Sequence, residues 1–168
     1  MHRPWVLAEH PGSQKASVVI VGAGPAGLVT ALELARHGVG SCVLSADLQA
    51  SEGSRAIVFT RRTLEILQQV GVSNAVLREG LGWNVGKSYF RGQEVFRMQA
   101  PHDHHDRFAP MTNLQQQILE EILIAACEAQ PLIELRFGNK VVGIEPRANN
   151  VTLQVDTTQG PYDLDTDW

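Results

Sequence analysis

Gly22, Gly24 and Gly27 stand at G-x-G-x-x-G spacing, directly after the β-branched run at 18–21 and directly before a helical pattern. That pattern places Leu28, Leu32 and Ala35 on one face and Pro25 at the favoured first position. The spacing suits the chemistry of holding a pyrophosphate. Gly22 lets the chain turn sharply, Gly24 has no Cβ to keep phosphate away from the backbone, and Gly27 lets helix and strand pack closely. With Ala23, Pro25 and Ala26 they form a loop whose helix N-terminus offers unpaired N–H groups and a positive dipole end. Glycine-rich turns are common on their own, and the flanking strand and helix supply the context a dinucleotide site requires. The stretch reads as a nucleotide cradle fed by a strand buried on both faces.

Such sites commonly carry an acidic residue about 20 residues past the glycines, at the end of the second strand, to hold ribose hydroxyls. Here that strand covers 42–44, ends at Ser45, and the nearest carboxylate is Asp47. If the chain stays extended, a period of two puts Ser45 and Asp47 on one side. Either residue is a candidate for the ribose.

Other reactive types carry less. His102, Asp103, His104, His105 and Asp106 fall in the loop PHDHHDRFAP. Neighbours in a loop rarely converge on one ion, so a solvated polar loop and no metal are expected. Trp83, Tyr89 and Phe90 are expected in the core rather than around an aromatic pocket. No Ser-His-Asp or Cys-His nucleophile arrangement is apparent, and no catalytic residue is assigned. Cys42 and Cys127 sit in apolar patterns as packing residues, and two cysteines suit a reducing compartment.

The elements that must position the cradle follow from pattern. Residues 1–15 read as a polar tail. Arg36, His37 and Gly38 close the first helix, and 46–59 are loop-like. A helix runs from Thr60 with Leu64, Leu67 and Val70 on one face and Gly71 as its stop. Ser73 is the natural cap of a short helix reaching Glu79. Tyr89 and Phe90, the turn at Arg91, Gly92 and Gln93, and 94–98 form a hairpin. Leu114, Ile118, Ile122, Ala125 and Ala129 mark a helix between Asn113 and Pro131. A third parallel strand covers 133–137, and 141–145, 151–156 and 162 onward form a β-meander. The formal net charge of −4 and the lack of a Lys/Arg block disfavour a nucleic-acid partner. No segment reads as a signal peptide or membrane span, so a cytoplasmic protein is expected.

VIVGAGPAGL, GSRAIVFTRRTLEILQQVGV and TNLQQQILEEIL together resemble the N-terminal part of FAD-dependent aromatic-ring hydroxylases. These are the class A flavoprotein monooxygenases, and GLGWNVGKSYFRGQEVFRM is similar to the 3-(3-hydroxyphenyl)propionate and phenol hydroxylase branch. The resemblance runs from Ser17 to Trp168. It implies that the Gly22–Gly27 loop lines the FAD pyrophosphate and that Arg55 lies at the diphosphate and ribityl side. It also implies that Gln116 approaches the flavin chain. A guanidinium fork suits phosphate oxygens, and a glutamine amide can both donate to and accept from ribityl hydroxyls. Family members use NADH or NADPH and O2 to hydroxylate a small phenolic substrate, with the cofactor carrying the chemistry.

The fold expected is α/β: a Rossmann-like FAD-binding domain of the glutathione-reductase-type three-layer ββα kind, with a β-meander and part of an antiparallel substrate-domain sheet. Residues 16–80 would be the FAD-binding βαβ portion and 81–110 the start of a substrate-domain hairpin and loop. Residues 111–168 would hold the FAD-domain helix, third strand and meander. Family motifs that follow this region are absent after Trp168, so the fold is expected to be incomplete at the C-terminus and the chain inactive alone. It is also expected to be marginally stable, or to pair with a missing C-terminal part or another copy. Another FAD- or NAD(P)-dependent oxidoreductase and a non-catalytic binding module are the alternatives.

Overall fold

The computed structural model describes residues 15–49 and 57–168. The described chain falls into two units, one made of residues up to 49 together with Leu123–Trp168, the other of residues 57–122.

The first unit holds β1 (Lys15–Ala16), β2 (Val19–Val21), α1 (Pro25–Arg36) and β3 (Ser41–Ser45). It also holds the C-terminal half of α4 (Gln116–Glu128), then β9 (Ile133–Phe137), β10 (Lys140–Pro146), β11 (Val151–Asp156) and β12 (Tyr162–Thr166). β2, β3 and β9 form a parallel sheet in that order, with Val19 opposite Cys42 and Ser41 opposite Ile133. β3 is central, and all five of its residues are buried. Its alternation explains the layering. Cys42 and Leu44 point into a cluster with Leu153, Val155 and Leu164 of the meander, while α1 packs on the same strand. A period of two turns Val43 to the opposite face from Cys42 and Leu44. α1 buries Leu28, Ala31 and Leu32, and the buried Cys127 of α4 donates its Sγ–H to the Leu28 carbonyl at 3.7 Å. Meander, parallel sheet and helices therefore stack as three layers.

The meander sheet has the order β1-β12-β11-β10. β1 pairs with β12 in parallel, which places Lys15 in a strand rather than in the polar tail expected for 1–15. The remainder of that tail lies outside the described residues. β2 departs from the sequence reading too. It was expected to be buried on both faces, yet Val19 and Ile20 are half-buried and Val21 is 57% exposed. The cause is position: β2 ends its sheet among the described residues, and β-branched composition reports strand preference rather than location in the sheet.

The second unit contains β4 (Val58–Thr60), α2 (Arg61–Gln69), α3 (Ser73–Glu79), β5 (Leu81–Trp83), β6 (Val85–Phe90), β7 (Gln93–Gln99) and β8 (Met111–Asn113). The N-terminal half of α4 belongs to it as well. β8 lies between β4 and β5 in an antiparallel sheet that the sequence did not reveal, so 58 and 59 are strand rather than loop, and Thr60 ends that strand rather than opening the helix. α2 is capped by the Thr60 side chain, which accepts from the Thr63 N–H at 3.4 Å. Leu64, Leu67, Val76, Phe108, Leu114 and Leu119 are buried in this unit.

Ser73 is not the cap of α3. Val72 holds that place without a side-chain bond, because the chain leaves Gly71 at φ +82° and enters the helix one residue early. The β6–β7 hairpin turns on Arg91 and Gly92, both at positive φ, as a two-residue type I′ connection requires. Tyr89 and Phe90 are 60% and 62% exposed, so they are not core residues. A two-stranded ribbon, unlike a sheet packed on a second layer, leaves its aromatics uncovered. Trp83 is half-buried and donates its indole N–H to Asn113 Oδ1 at 2.7 Å. Among the described residues, no helix is long and apolar enough to cross a membrane.

Candidate functional site

The loop from Gly22 to Gly27 leaves β2 and enters α1 at the carboxyl ends of two neighbouring parallel strands. The Gly22 N–H donates to the Leu44 carbonyl at 2.8 Å, which holds the loop against the end of β3. Helix α1 starts at Pro25, and its Gly24 cap makes no side-chain hydrogen bond. The N–H groups of the first turn have no acceptor within the helix, and they sit at the positive end of its dipole. An open α/β sheet binds ligands at this end of its strands.

The three glycines stand in three different settings. Gly22 takes φ +110°, a conformation that L side chains rarely adopt. At Gly27 a Cβ would collide with the carbonyl oxygen of Gly22 and come within 3.2 Å of Ile20 Cγ2, so glycine is set by helix–strand packing. Gly24 is different. Its φ of −77° is open to any residue, and a Cβ built there meets no protein atom within 4 Å. Neither backbone conformation nor packing calls for glycine at 24. Its place as the cap of α1 favours glycine over larger apolar residues, and the open space beside it leaves room for close approach by a group such as a pyrophosphate.

At the end of β3 the chain bends instead of continuing extended, so Ser45 and Asp47 part company. Ser45 is 7% exposed, and its Oγ accepts the Asp47 N–H at 3.3 Å. Asp47 is exposed, and its backbone carbonyl accepts the Gly138 N–H at 3.1 Å. The Asn139 N–H donates to the Ser45 carbonyl at 2.8 Å. The turn after β9 therefore braces the exit from β3. Sequence reasoning overlooked this brace, although Gly138-Asn139 is a turn signal. The Gly22–Gly27 loop, Ser45 and Asp47 share one end of one sheet.

Arg55 and Gln116 are the remaining residues assigned by sequence. Arg55 lies outside the described residues. Gln116 belongs to the second unit, as the first residue of α4, and its Nε2 donates to Glu120 Oε1 at 2.7 Å. Both cysteines are buried in the first unit, and burial pushes each thiol up to about 12. Neither is a thiolate at neutral pH, so neither offers a nucleophile.

Residues 15–168 match the family model described as FAD binding domain. The chain is 33% identical over 148 residues to 6-hydroxy-3-succinoylpyridine 3-monooxygenase HspB of Pseudomonas putida, covering 84% of this chain and 37% of that protein. It is 32% identical over 156 residues to a 3-(3-hydroxy-phenyl)propionate/3-hydroxycinnamic acid hydroxylase of Burkholderia cenocepacia, covering 92% of this chain and 29% of that one. Among solved structures, the flavin-dependent monooxygenase PieE in complex with FAD and substrate is similar at a TM-score of 0.79 and 31% identity, over 92% of this chain and 29% of that one. The p-nitrophenol 4-monooxygenase PnpA of Pseudomonas putida shares the fold, at a TM-score of 0.83 and 24% identity, over 92% of this chain and 40% of that one. The chain thus spans 37% and 29% of the two curated relatives named.

Proposed function

The chain belongs to the FAD binding domain family, and from that membership we propose that it is the cofactor-holding portion of a flavin-dependent monooxygenase acting on a small phenolic ring. NADH or NADPH would serve as reductant and O2 as oxygen source. Bound FAD would supply the redox and oxygen-activating chemistry. This chain's residues would bind and orient it.

Backbone N–H groups of the Gly22–Gly27 loop would donate to the diphosphate at the positive end of α1. Asp47, rather than Ser45, would accept from the ribose hydroxyls. The exposure of Asp47 supports this, as does the burial of Ser45 with its Oγ already engaged. Arg55 and Gln116 would contact the diphosphate and the flavin chain, as the family resemblance implies.

The observation that carries the reading is Gly24, a glycine that the protein's own backbone and packing do not require. The experiment follows directly. The purified chain is titrated with FAD by quenching of flavin fluorescence, beside Gly24→Val, with circular dichroism and thermal melting to compare folding. Gly24→Val is expected to fold like the parent and lose FAD affinity by about a hundredfold, the cost of a side chain standing where the phosphates would lie. Equal FAD affinity in the two proteins would remove the cradle.

A further inference from the structure

The loop between β7 and β8 holds a cluster that the cofactor site does not use. Arg61, at the start of α2, grips both ends of it. Its Nε donates to the Phe108 carbonyl at 3.2 Å, and its Nη2 donates to the Pro101 carbonyl at 3.0 Å. The same Nη2 lies 2.9 Å from Asp106 Oδ2. Asp106 passes this restraint inward, since its Oδ2 accepts the Asp103 N–H at 2.8 Å. Asp103 Oδ1 in turn accepts the His105 N–H at 2.8 Å and lies 3.2 Å from His104 Nδ1. The His104 and His105 rings are 3.8 Å apart between centroids. One ligand atom from each of Asp103, His104 and His105 lies within 4.8 Å of the other two. Adjacency in sequence gave no reason to expect this convergence, which comes from the turn that Asp103 closes on itself.

We propose that Asp103, His104 and His105 form a surface site for a borderline divalent transition ion of the zinc or nickel class. Bonds of about 2.0–2.1 Å to a tetrahedral ion separate neighbouring ligand atoms by about 3.3–3.4 Å. The Asp103–His104 spacing already matches that edge, and His105 needs a modest side-chain rotation to close the triangle. Two imidazoles and one carboxylate select zinc, nickel or copper over magnesium or calcium, which prefer all-oxygen sites. The exposed side leaves further positions to water. Because Arg61 and Asp106 hold the loop before any ion arrives, less ordering is needed on binding than in a free peptide. The site is independent of the FAD reading, and either can fail without the other.

The test uses the full chain without an affinity tag. Zinc is titrated by calorimetry, and cobalt is titrated by visible absorption, which is strong only for low-coordinate cobalt. One ion per chain is expected, and binding should be about tenfold or more weaker in Asp103→Asn and in the double variant His104→Ala/His105→Ala. His37→Ala, a histidine of the other unit, should bind like the parent. All three positions lie in an exposed loop, and thermal melting checks that the variants fold. Absence of saturable zinc uptake, or unchanged affinity in the double variant, overturns the proposal and leaves Asp103 and His104 as a simple ion pair.

Discussion

The α-carbon of Gly27 faces the carbonyl oxygen of Gly22 with no room for a methyl group between them. α1 therefore approaches the end of β2 as closely as backbone permits, which fixes where its first turn points. Gly27→Ala should force the helix outward and cost about 1–3 kcal/mol, the usual range for overpacking. Gly24→Ala meets open space and should cost less than 1 kcal/mol, within the helix-cap preference for glycine over alanine. Urea denaturation of the two variants checks the contrast. Equal stability losses would mean that the helix does not sit against the strand as described.

Ser45 and Asp47 divide two tasks between them. Ser45 Oγ ties the turn by accepting the Asp47 N–H, and the Asp47 carboxylate faces out. Ser45→Ala should lower stability by about 1 kcal/mol through loss of one hydrogen bond, with little change in FAD affinity. Asp47→Asn should do the reverse, leaving stability alone and weakening FAD binding by about tenfold. Melting and fluorescence titration of both variants separate the roles. A large FAD defect confined to Ser45→Ala would reassign the ribose contact.

Much of this end of the fold was legible because its signals are local. The strand at 133–137 and the meander were visible in short apolar runs between turn residues, and the hairpin turn in Arg91-Gly92. The β4-β8-β5 sheet was not legible. Each of its strands is three residues long, and Val58 pairs with Asn113 across more than half a hundred residues. No local period reports such a partner. The same limit applies at the site. The glycine spacing was readable, whereas the choice between Ser45 and Asp47 depends on a bend after Ser45 that the turn at Gly138-Asn139 helps to fix.

Glu94 organises one face of the hairpin. It binds Arg97 at 2.7 Å, lies 3.8 Å from Lys87, and accepts from Tyr89 Oη at 3.4 Å. The Arg97 hydrogen bond comes first among the causes that hold its carboxyl below the ordinary value of 4.5. A depressed acid stabilises the folded form above its unfolded pKa, and that contribution is lost as pH falls through the folded value. The hairpin should therefore be intact at neutral pH and loosen in acid below the ordinary glutamate range. Amide shifts of Tyr89 and Arg97 by NMR follow this directly. In Glu94→Gln the same shifts should lose that acid-dependent step.

Arg136 joins the parallel sheet to the meander and is buried, at 3% exposure. Its guanidinium grips both oxygens of Glu134, at 2.9 and 3.0 Å, and donates to Tyr162 Oη at 3.2 Å. Tyr162 hands the bond on to Asn139 Oδ1 at 2.8 Å. The network therefore ends on the turn that braces Ser45 and Asp47. Tyr162→Phe keeps the ring and removes the acceptor that faces a buried cation, which should cost about 1.5–3 kcal/mol. The loss should also reach the site, because Asn139 Oδ1 loses its donor where that residue supports the end of β3. FAD affinity should fall severalfold in Tyr162→Phe under conditions where the variant is fully folded. In Leu164→Ala, a core truncation in the same strand, the cost should be about 2–5 kcal/mol with FAD affinity of the folded protein kept. If both variants lowered affinity alike, the effect would belong to general loosening of the meander rather than to the chain of bonds from Arg136 to Asn139.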